Sequence, residues 1–205
     1  MSMRLMRPVL GVTFGLWLLL GLAYPLVMTG ISQIIFPWQA QGSQVYLNGH
    51  VVASRHVGQY FSTPQYFWGR PSDTISVSTA KPKPYNAFAS APSNLGPTNK
   101  TLITTIQSRI HHLLATTPGL TVGQIPASLV EGSGSGLDPN ISPQGALIQI
   151  SRVAKQTGLS SSYLKQLVNQ SIEAPQFGMF GRARVNVMLL NLSVYKALHG
   201  GKITQ

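Results

Sequence analysis

The pattern of hydrophobic and polar positions divides the chain into one uninterrupted apolar stretch and a long mixed remainder. Residues 8–36, PVLGVTFGLWLLLGLAYPLVMTGISQIIF, contain no charged side chain. A helix that crosses a bilayer needs about 20 mostly apolar residues, because ~30 Å of hydrocarbon is covered at 1.5 Å per residue. Residues 9–29 meet this length, so the stretch predicts one transmembrane helix.

Two other interpretations of this stretch are less favoured. A cleaved signal peptide has an apolar core of about 7 to 15 residues and a small-x-small cleavage site, whereas this run continues to Phe36 without an Ala-x-Ala. A buried core helix of a soluble domain is rarely so long and apolar. Pro25 has no backbone N–H and therefore predicts a kink or contact with a partner helix. The GxxxG of Gly11 and Gly15 fits helix packing and lipid-facing glycine about equally.

The distribution of positive charge predicts the orientation of the span. Arg4, Arg7 and the terminal amine flank one end, and no further Lys or Arg occurs before Arg55. By the positive-inside rule, residues 1–7 are cytoplasmic, residues 8–36 form the transmembrane helix and residues 37–205 form one extracytoplasmic domain. Trp38 is placed to anchor the chain at the membrane interface.

The mixed remainder predicts an α+β domain with an early β-hairpin and about four later helices. Asn48-Gly49 lies between two β-favourable runs, and this pair favours a tight hairpin turn. Apolar residues then recur at helical spacing, with a cap or breaker at most ends. The predicted helices run from about residue 98 to Pro118-Gly119, between Ser142 and Gly158, between Ser160 and Pro175 with Ile172 facing inward, and over residues 186–198; a short turn is predicted at 126–130.

Composition removes several classes of function. The chain has 15 Lys and Arg against four carboxylates, a formal charge of +11, but the basic residues are scattered rather than clustered, which argues against nucleic acid as a partner. It has no cysteine, so a disulfide, a thiol nucleophile and a cysteine metal site are all excluded. The scarcity of carboxylates suggests a surface that suits an acidic exterior.

Catalytic patterns are mostly absent. His111 and His112 are adjacent on a predicted helix and point about 100° apart, so they cannot share a metal as an i, i+4 pair would. The GSGSG at 132–136 has glycine where a nucleophile elbow needs serine, and Leu137 breaks a G-x-G-x-x-G. Its amides could cradle a phosphate, but no lysine follows, and a tight loop capped by Asp138 is favoured. No catalytic or metal-binding residue is predicted.

Motifs along the whole chain resemble those of the C subunit of Kdp potassium-transporting ATPases. They begin in the apolar stretch with YPLVMTG and IFPWQAQGS and continue through GQYF, YFWGRPS, SNLGPTN, SGSGLDPNISPQGA, QISRVA and RVNVMLLN. Two departures are Asn140, where many members have histidine, and GRAR at 181–184, which replaces a more acidic GEPR-like stretch.

The resemblance implies an accessory, non-catalytic subunit of the high-affinity, ATP-driven potassium import complex in the cell membrane. Its partners would be the channel-like potassium-translocating subunit, the P-type ATPase subunit and membrane lipid. The family is described as stabilising this complex and as a catalytic chaperone that raises the ATP affinity of the ATPase subunit. ATP and potassium would be handled by the complex, and no cofactor is assigned to this chain, which has no Walker A motif and no phosphorylatable DKTG.

The motifs also supply candidate interface residues, among which Arg70 is favoured because turn geometry explains several others. Two other classes of function remain open at this stage: a membrane-tethered extracytoplasmic binding protein for an anionic ligand, and a tethered hydrolase, against which the missing nucleophile arrangement counts. The candidate interface residues are Pro25, Tyr66, Phe67, Gly69, Arg70, Pro71, Asn94, Asn99, Ser133, Ser135 and Asp138.

Overall fold

A computed structural model describes the backbone of residues 3–204 and the side chains from residue 6 onward. The chain divides into two compact units, residues 3–44 and Val45–Thr204. Of the segment predicted to be cytoplasmic, residues 1 and 2 and the side chain of Arg4 lie outside the described residues.

The first unit is helical and apolar. Its part from Met6 to Ile35 is long and apolar enough to cross a membrane, and none of its side chains is buried. Thirty residues give a helix of about 45 Å, which exceeds the ~30 Å hydrocarbon layer. The elements are α1 (Met3–Leu18), a π-helical turn (Leu19–Ala23), α2 (Tyr24–Ile35) and α3 (Pro37–Ala40).

The π-helical turn lies directly before Pro25. Tyr24 donates its backbone N–H to the carbonyl of Leu19, five residues back, instead of four. Proline offers no N–H and its ring clashes with the carbonyl four residues earlier, so a widened turn at this place relieves the conflict. The apolar helix therefore continues through Pro25.

The second unit begins with the predicted hairpin. Asn48 and Gly49 both have positive φ, at 52° and 83°, as a two-residue hairpin turn requires. The last strand joins this sheet, because Tyr46 pairs with Thr204 and Leu47 with Ile203 in antiparallel register. The sheet has the order β2 (His50–Ser54), β1 (Gln44–Leu47), β6 (Ile203–Thr204).

Helices follow the long irregular segment after β2, and the α+β class is confirmed. Asn99 caps the first of them and Ser142 caps the second, each by accepting a backbone N–H through its side-chain oxygen. A 3₁₀ turn at Ala127–Leu129 matches the one predicted after Pro126. The helices are α4 (Lys100–Thr116), α5 (Pro143–Leu147), α6 (Ile150–Thr157), α7 (Ser161–Gln170) and α8 (Val187–His199).

The prediction of one continuous helix between Ser142 and Gly158 was wrong, because the helix breaks at Ile148 and Gln149. The backbone N–H of Gln149 donates to Ala146, three residues back, at 3.1 Å. The carbonyl of Gly145, which a continuous helix would pair with that N–H, instead accepts the side-chain amide of Gln149 at 2.9 Å. The side chain therefore replaces the backbone donor, and α6 begins anew at Ile150.

The third predicted helix ends earlier than expected. α7 stops at Gln170, and Ile172 lies in a strand with 37% exposure rather than facing the core. This strand belongs to a second sheet, in which Ile141 and Ile172 both pair with Val185. Strands this short carry no sequence period and were not predicted. The sheet has the order β3 (Asn140–Ile141), β5 (Arg184–Asn186), β4 (Ile172–Glu173).

The main core lies between the helices and this second sheet. Leu164, Val168, Val185, Leu190 and Val194 are completely buried in it. A smaller cluster of Val45, Ala53 and Met188 joins the first sheet to α8. The second unit therefore has its own apolar core.

Candidate functional site

The aromatic segment at 66–68 is held by buried side chains that grip its backbone. The amide of Asn191 on α8 accepts the N–H of Phe67 at 2.8 Å and donates to its carbonyl at 2.9 Å. Gln149 does the same for Trp68, at 2.8 and 3.1 Å. The backbone of this segment is thus hydrogen-bonded as in a β-strand, but its partners are two side-chain amides. These bonds fix the position of the residues that follow.

Arg152 on α6 completes this grip. Its guanidinium donates to the carbonyls of Pro64 and Tyr66 and to the Gln149 side-chain oxygen. The group is 1% exposed and lies 3.6 Å from the centre of the Trp68 ring, a cation–π contact. Burial lowers the pKa of Arg152 to about 10. A buried charge held mainly by carbonyls and an aromatic face makes a rigid support for the segment.

Arg70 links the segment to the glycine-rich loop before β3. Its Nη1 lies 3.2 Å from Asp138 Oδ2, and its Nη2 donates to the carbonyl of Gly132 at 3.2 Å. The second oxygen of Asp138 accepts the backbone N–H of Asn140 at 3.0 Å, the turn cap predicted from the sequence. Ser133 also donates its N–H to the carbonyl of Pro71 at 3.1 Å. Two stretches about 60 residues apart in sequence are therefore joined by hydrogen bonds.

Tyr85 fills the space between these two stretches. Its hydroxyl donates to the carbonyl of Arg70 at 2.7 Å. A Cβ on Gly69 would lie 2.6 Å from that hydroxyl, and a Cβ on Gly58 would lie 2.7 Å from the carbonyl oxygen of Asp138, so both positions exclude a side chain. Burial, and then the charge of Asp138, raise the pKa of Tyr85 above its ordinary value.

A cleft of about 500 Å³ opens beside Arg70 and Tyr85. Trp68 stacks on His112 of α4 along its wall, with ring centres 5.0 Å apart. Two cations reach the cleft, but Arg70 is paired with Asp138 and Arg109 with Asp73. The wall is therefore aromatic with little uncompensated charge, a poor match to an anionic ligand. The lining includes Tyr60, Phe61, Trp68, Gly69, Arg70, Pro71, Tyr85, Arg109, His112 and Leu129.

Two kinds of ligand site considered for this chain are a metal centre and a phosphate cradle. Among residues 6–204, no group of three His, Asp or Glu is placed to hold a metal ion. Two amides of the glycine-rich loop are paired within it, since Gly136 donates to the carbonyl of Ser133 and Leu137 to the hydroxyl of Ser135. Amides already paired within the loop favour a turn over a phosphate cradle.

The structure brings some of the candidate residues together and separates others. Gly69, Arg70, Pro71, Ser133 and Asp138 meet at the link just described. Phe67 is fully buried in the core, and Tyr66 is partly buried against that core. The remaining candidates lie elsewhere: Ser135 is exposed at the loop tip, Asn94 is exposed with φ of 55°, Asn99 caps α4, and Pro25 belongs to the first unit.

Sequence reasoning missed the polar residues that support the site. Arg152 on α6 and Asn191 on α8 lie beside buried apolar residues of their helices, Gln149 lies at the break between α5 and α6, and all three are buried. Such a polar residue within an apolar stripe was the available signal, because a buried polar group needs a partner. Nothing in the sequence indicated the hydrogen bond from Tyr85, because its acceptor is the backbone carbonyl of Arg70.

Comparison with known proteins places these features in a family context. A family model described as K+-transporting ATPase, c chain, matches residues 6–196. A Rhodopseudomonas palustris (strain BisB18) protein named potassium-transporting ATPase KdpC subunit is 48% identical over 193 residues, 92% of this chain and 96% of the relative. Proteins of the same name from Polaromonas naphthalenivorans (strain CJ2) and Paraburkholderia phytofirmans are 47% and 45% identical, covering 93% and 96% of this chain and 94% and 99% of the relatives.

Proposed function

This chain belongs to the KdpC family, the c chain of the K+-transporting ATPase, and we propose that it is an accessory, non-catalytic subunit that assembles and stabilises such a complex. Its partners in this proposal are the channel-like potassium-translocating subunit and the P-type ATPase subunit. The observation that supports an accessory role is the cleft, where both arginines are paired with carboxylates. Such a site suits protein contact better than chemistry.

The apolar helix gives the proposal its membrane component. From Met6 to Ile35 none of its side chains is buried, so this surface is available to lipid and to partner helices. We place its N-terminus in the cytoplasm and the domain outside, following the charge bias of Arg4 and Arg7. The domain then docks over the entrance of the channel-like subunit, while the helix, with Pro25, packs in the membrane.

An effect on ATP has to be transmitted in this arrangement. Hydrolysis takes place in the cytoplasm, where the proposed topology leaves only residues 1–7 of this chain. A rise in the ATP affinity of the ATPase subunit would therefore arise from coupling through the assembled complex, with each state of the ATPase subunit favouring one arrangement of its partners.

The topology can be tested by cysteine labelling, because the chain has no cysteine of its own. Ser162 on α7 is exposed, so Ser162→Cys gives a reactive site on the domain. We expect an impermeant maleimide added to intact cells to label it fully. Ser2→Cys, at the other end of the span, is the matched control and should be labelled only after permeabilisation. The reverse pattern would overturn the orientation.

Arg70→Ala tests the docking role. We expect it to reduce the amount of both partner subunits that copurify with the full chain from native membranes, several-fold. The domain should remain folded at a cost of about 1 to 2 kcal/mol, since the change removes two partly exposed contacts while leaving the apolar core intact. Copurified subunits are quantified by mass spectrometry, and folding is followed by circular dichroism.

Arg184→Ala is the control for this experiment, because it also removes an arginine–carboxylate pair, with Glu173, although Arg184 is more exposed than Arg70. It should leave copurification unchanged. A melted domain in Arg70→Ala, or undiminished copurification, would refute the docking role.

The alternative of a membrane-tethered binding protein has the cleft in its favour, since about 500 Å³ with aromatic walls is enough for a small molecule. The pairing of Arg70 and Arg109 weakens the case for an anion there. A rise in the melting temperature of the full chain on adding a small anion, in the absence of the other subunits, would favour this alternative.

A further inference from the structure

A hairpin that protrudes between β4 and β5 carries three large apolar side chains in water. The side chains of Phe177, Met179 and Phe180 are 84%, 73% and 62% exposed. Neither buried cluster of the domain includes them. Apolar side chains grouped on one protrusion indicate a surface that another apolar phase covers. We call residues 176–182 the apolar tip.

The backbone holds the apolar tip in this exposed position. Gln176 and Phe180 exchange backbone hydrogen bonds, both at 2.9 Å, and Gly178 donates its N–H to the carbonyl of Pro175 at 3.0 Å. Phe177 has φ of 54°, which a bulky residue rarely adopts and which the surrounding hydrogen bonds must enforce. The three side chains are therefore held outward by a closed turn.

Positive charge lies at the end of the apolar tip and at its base. Arg182 is exposed, and none of the ion pairs formed by the described side chains involves it. Arg184 lies at the base of the hairpin, where it shares Glu173 with Arg55. The domain as a whole carries 13 Lys and Arg against four carboxylates over residues 45–204. Its field therefore attracts an anionic surface.

Chain connectivity keeps the domain beside the bilayer that the apolar helix crosses. Nine residues separate Ile35, where that helix ends, from Val45, where the second unit begins. Nine residues span at most about 30 Å. The local concentration of lipid around the domain is therefore high, and even a weak apolar contact with the interface is favoured.

We propose that the apolar tip inserts Phe177, Met179 and Phe180 into the interfacial region of an anionic phospholipid bilayer, with Arg182 at the headgroup phosphates. Aromatic and thioether side chains enter the boundary between headgroups and acyl chains, while an adjacent arginine stays with the phosphates. The contact gives the domain a second attachment to the membrane and so restricts its orientation. It is independent of which side of the membrane the domain occupies.

The test uses the full chain in nanodiscs in which roughly a third of the phosphatidylcholine is replaced by phosphatidylglycerol. Met179→Cys provides the only thiol and is labelled with an environment-sensitive fluorophore. Phe88→Cys is the matched control, because Phe88 is also a large apolar residue on an exposed turn, 90% exposed. Lipids with a spin label near the headgroup report proximity by quenching.

We expect the probe at 179 to be quenched several-fold more strongly than the probe at 88. Phe177→Ser together with Phe180→Ser should reduce the quenching at 179 to the level at 88, and Arg182→Gln or pure phosphatidylcholine should lower it. Circular dichroism of each variant confirms that the domain is folded.

Equal quenching of the two probes in anionic nanodiscs would overturn the proposal. So would a probe at 179 that stays accessible to aqueous iodide in lipid alone and becomes shielded only when the other subunits are present, because the tip would then bind protein. Both outcomes are measured with probes on this chain, first in lipid alone and then with the other subunits present. They therefore do not depend on the result of copurification.

Discussion

Gln149→Leu is expected to lower the free energy of unfolding of the second unit by about 3 to 5 kcal/mol. The side-chain amide makes four hydrogen bonds in a position with no access to water: two with the backbone of Trp68, one to the carbonyl of Gly145 and one from Arg152. Leucine has a similar size but supplies none of them. Each buried donor or acceptor left without a partner costs about 1 to 3 kcal/mol.

The loss should also reach the site. Trp68 would no longer be fixed by its backbone, and the guanidinium of Arg152 would keep its burial while losing one acceptor. We therefore expect the cleft beside Trp68 to loosen before the core melts. Urea unfolding of the full chain in detergent gives the stability, and hydrogen exchange at Trp68 and Gly69 reports the local opening.

Gln144→Leu is the matched control. Gln144 lies on α5 of the same region but is exposed, so the same exchange of amide for isobutyl should change stability by less than about 0.5 kcal/mol. If Gln149→Leu were as mild as Gln144→Leu, the grip on the aromatic segment would contribute little to the fold.

Gly58→Ala should destabilise the same domain by about 3 kcal/mol, and Gly69→Ala by about 2 kcal/mol. Both glycines face Tyr85, but what a methyl group would meet differs. At Gly69 it is the tyrosine hydroxyl, at 2.6 Å, with the next atom of the ring at an ordinary 3.6 Å. At Gly58 it is the ring edge and also the backbone carbonyl of Asp138 at 2.7 Å.

A Tyr85→Phe background separates the two cases. Removing the hydroxyl removes the obstacle at Gly69, so in that background Gly69→Ala should cost less than about 1 kcal/mol. Gly58→Ala should keep most of its cost, because the carbonyl of Asp138 remains. Tyr85→Phe alone costs about 1 kcal/mol, since the carbonyl of Arg70 loses its donor.

Gly123→Ala serves as the control for alanine itself, because no atom lies within 4 Å of a Cβ at that position. Thermal unfolding of wild type, the three single variants and the two double variants gives both cycles, and Gly123→Ala is measured beside them. Equal costs for Gly69→Ala in the two backgrounds would show that the hydroxyl of Tyr85 is not what excludes a side chain there.

These predictions bear on the function because the candidate interface residues and the internal supports are interwoven. Arg70, the favoured docking residue, is also the link between the aromatic segment and the glycine-rich loop. A defect in complex assembly after its replacement therefore has to be compared with Gly69→Ala, which disturbs the same link without removing a charge.

Local chemistry is what the sequence by itself determined. The apolar run predicts its own helix because most of its side chains favour lipid over water, whatever else the chain does. Asn48-Gly49 predicts the hairpin, and Ser142, Gly158 and Ser160 mark helix ends, because caps and turns with positive φ depend on a few neighbouring residues. The family resemblance carried by the motifs is confirmed by the match over residues 6–196.

Only the tertiary structure decided how distant segments meet. The helix breaks at Gln149 because its side-chain amide is hydrogen-bonded to Trp68, 81 residues earlier. The position of Tyr85 depends on Gly58, Gly69 and the carbonyl of Asp138. The short strands β3 and β4 form only because both pair with β5 at Val185. Such contacts have no period along the chain, since the energy that fixes them appears only once the partners are buried together.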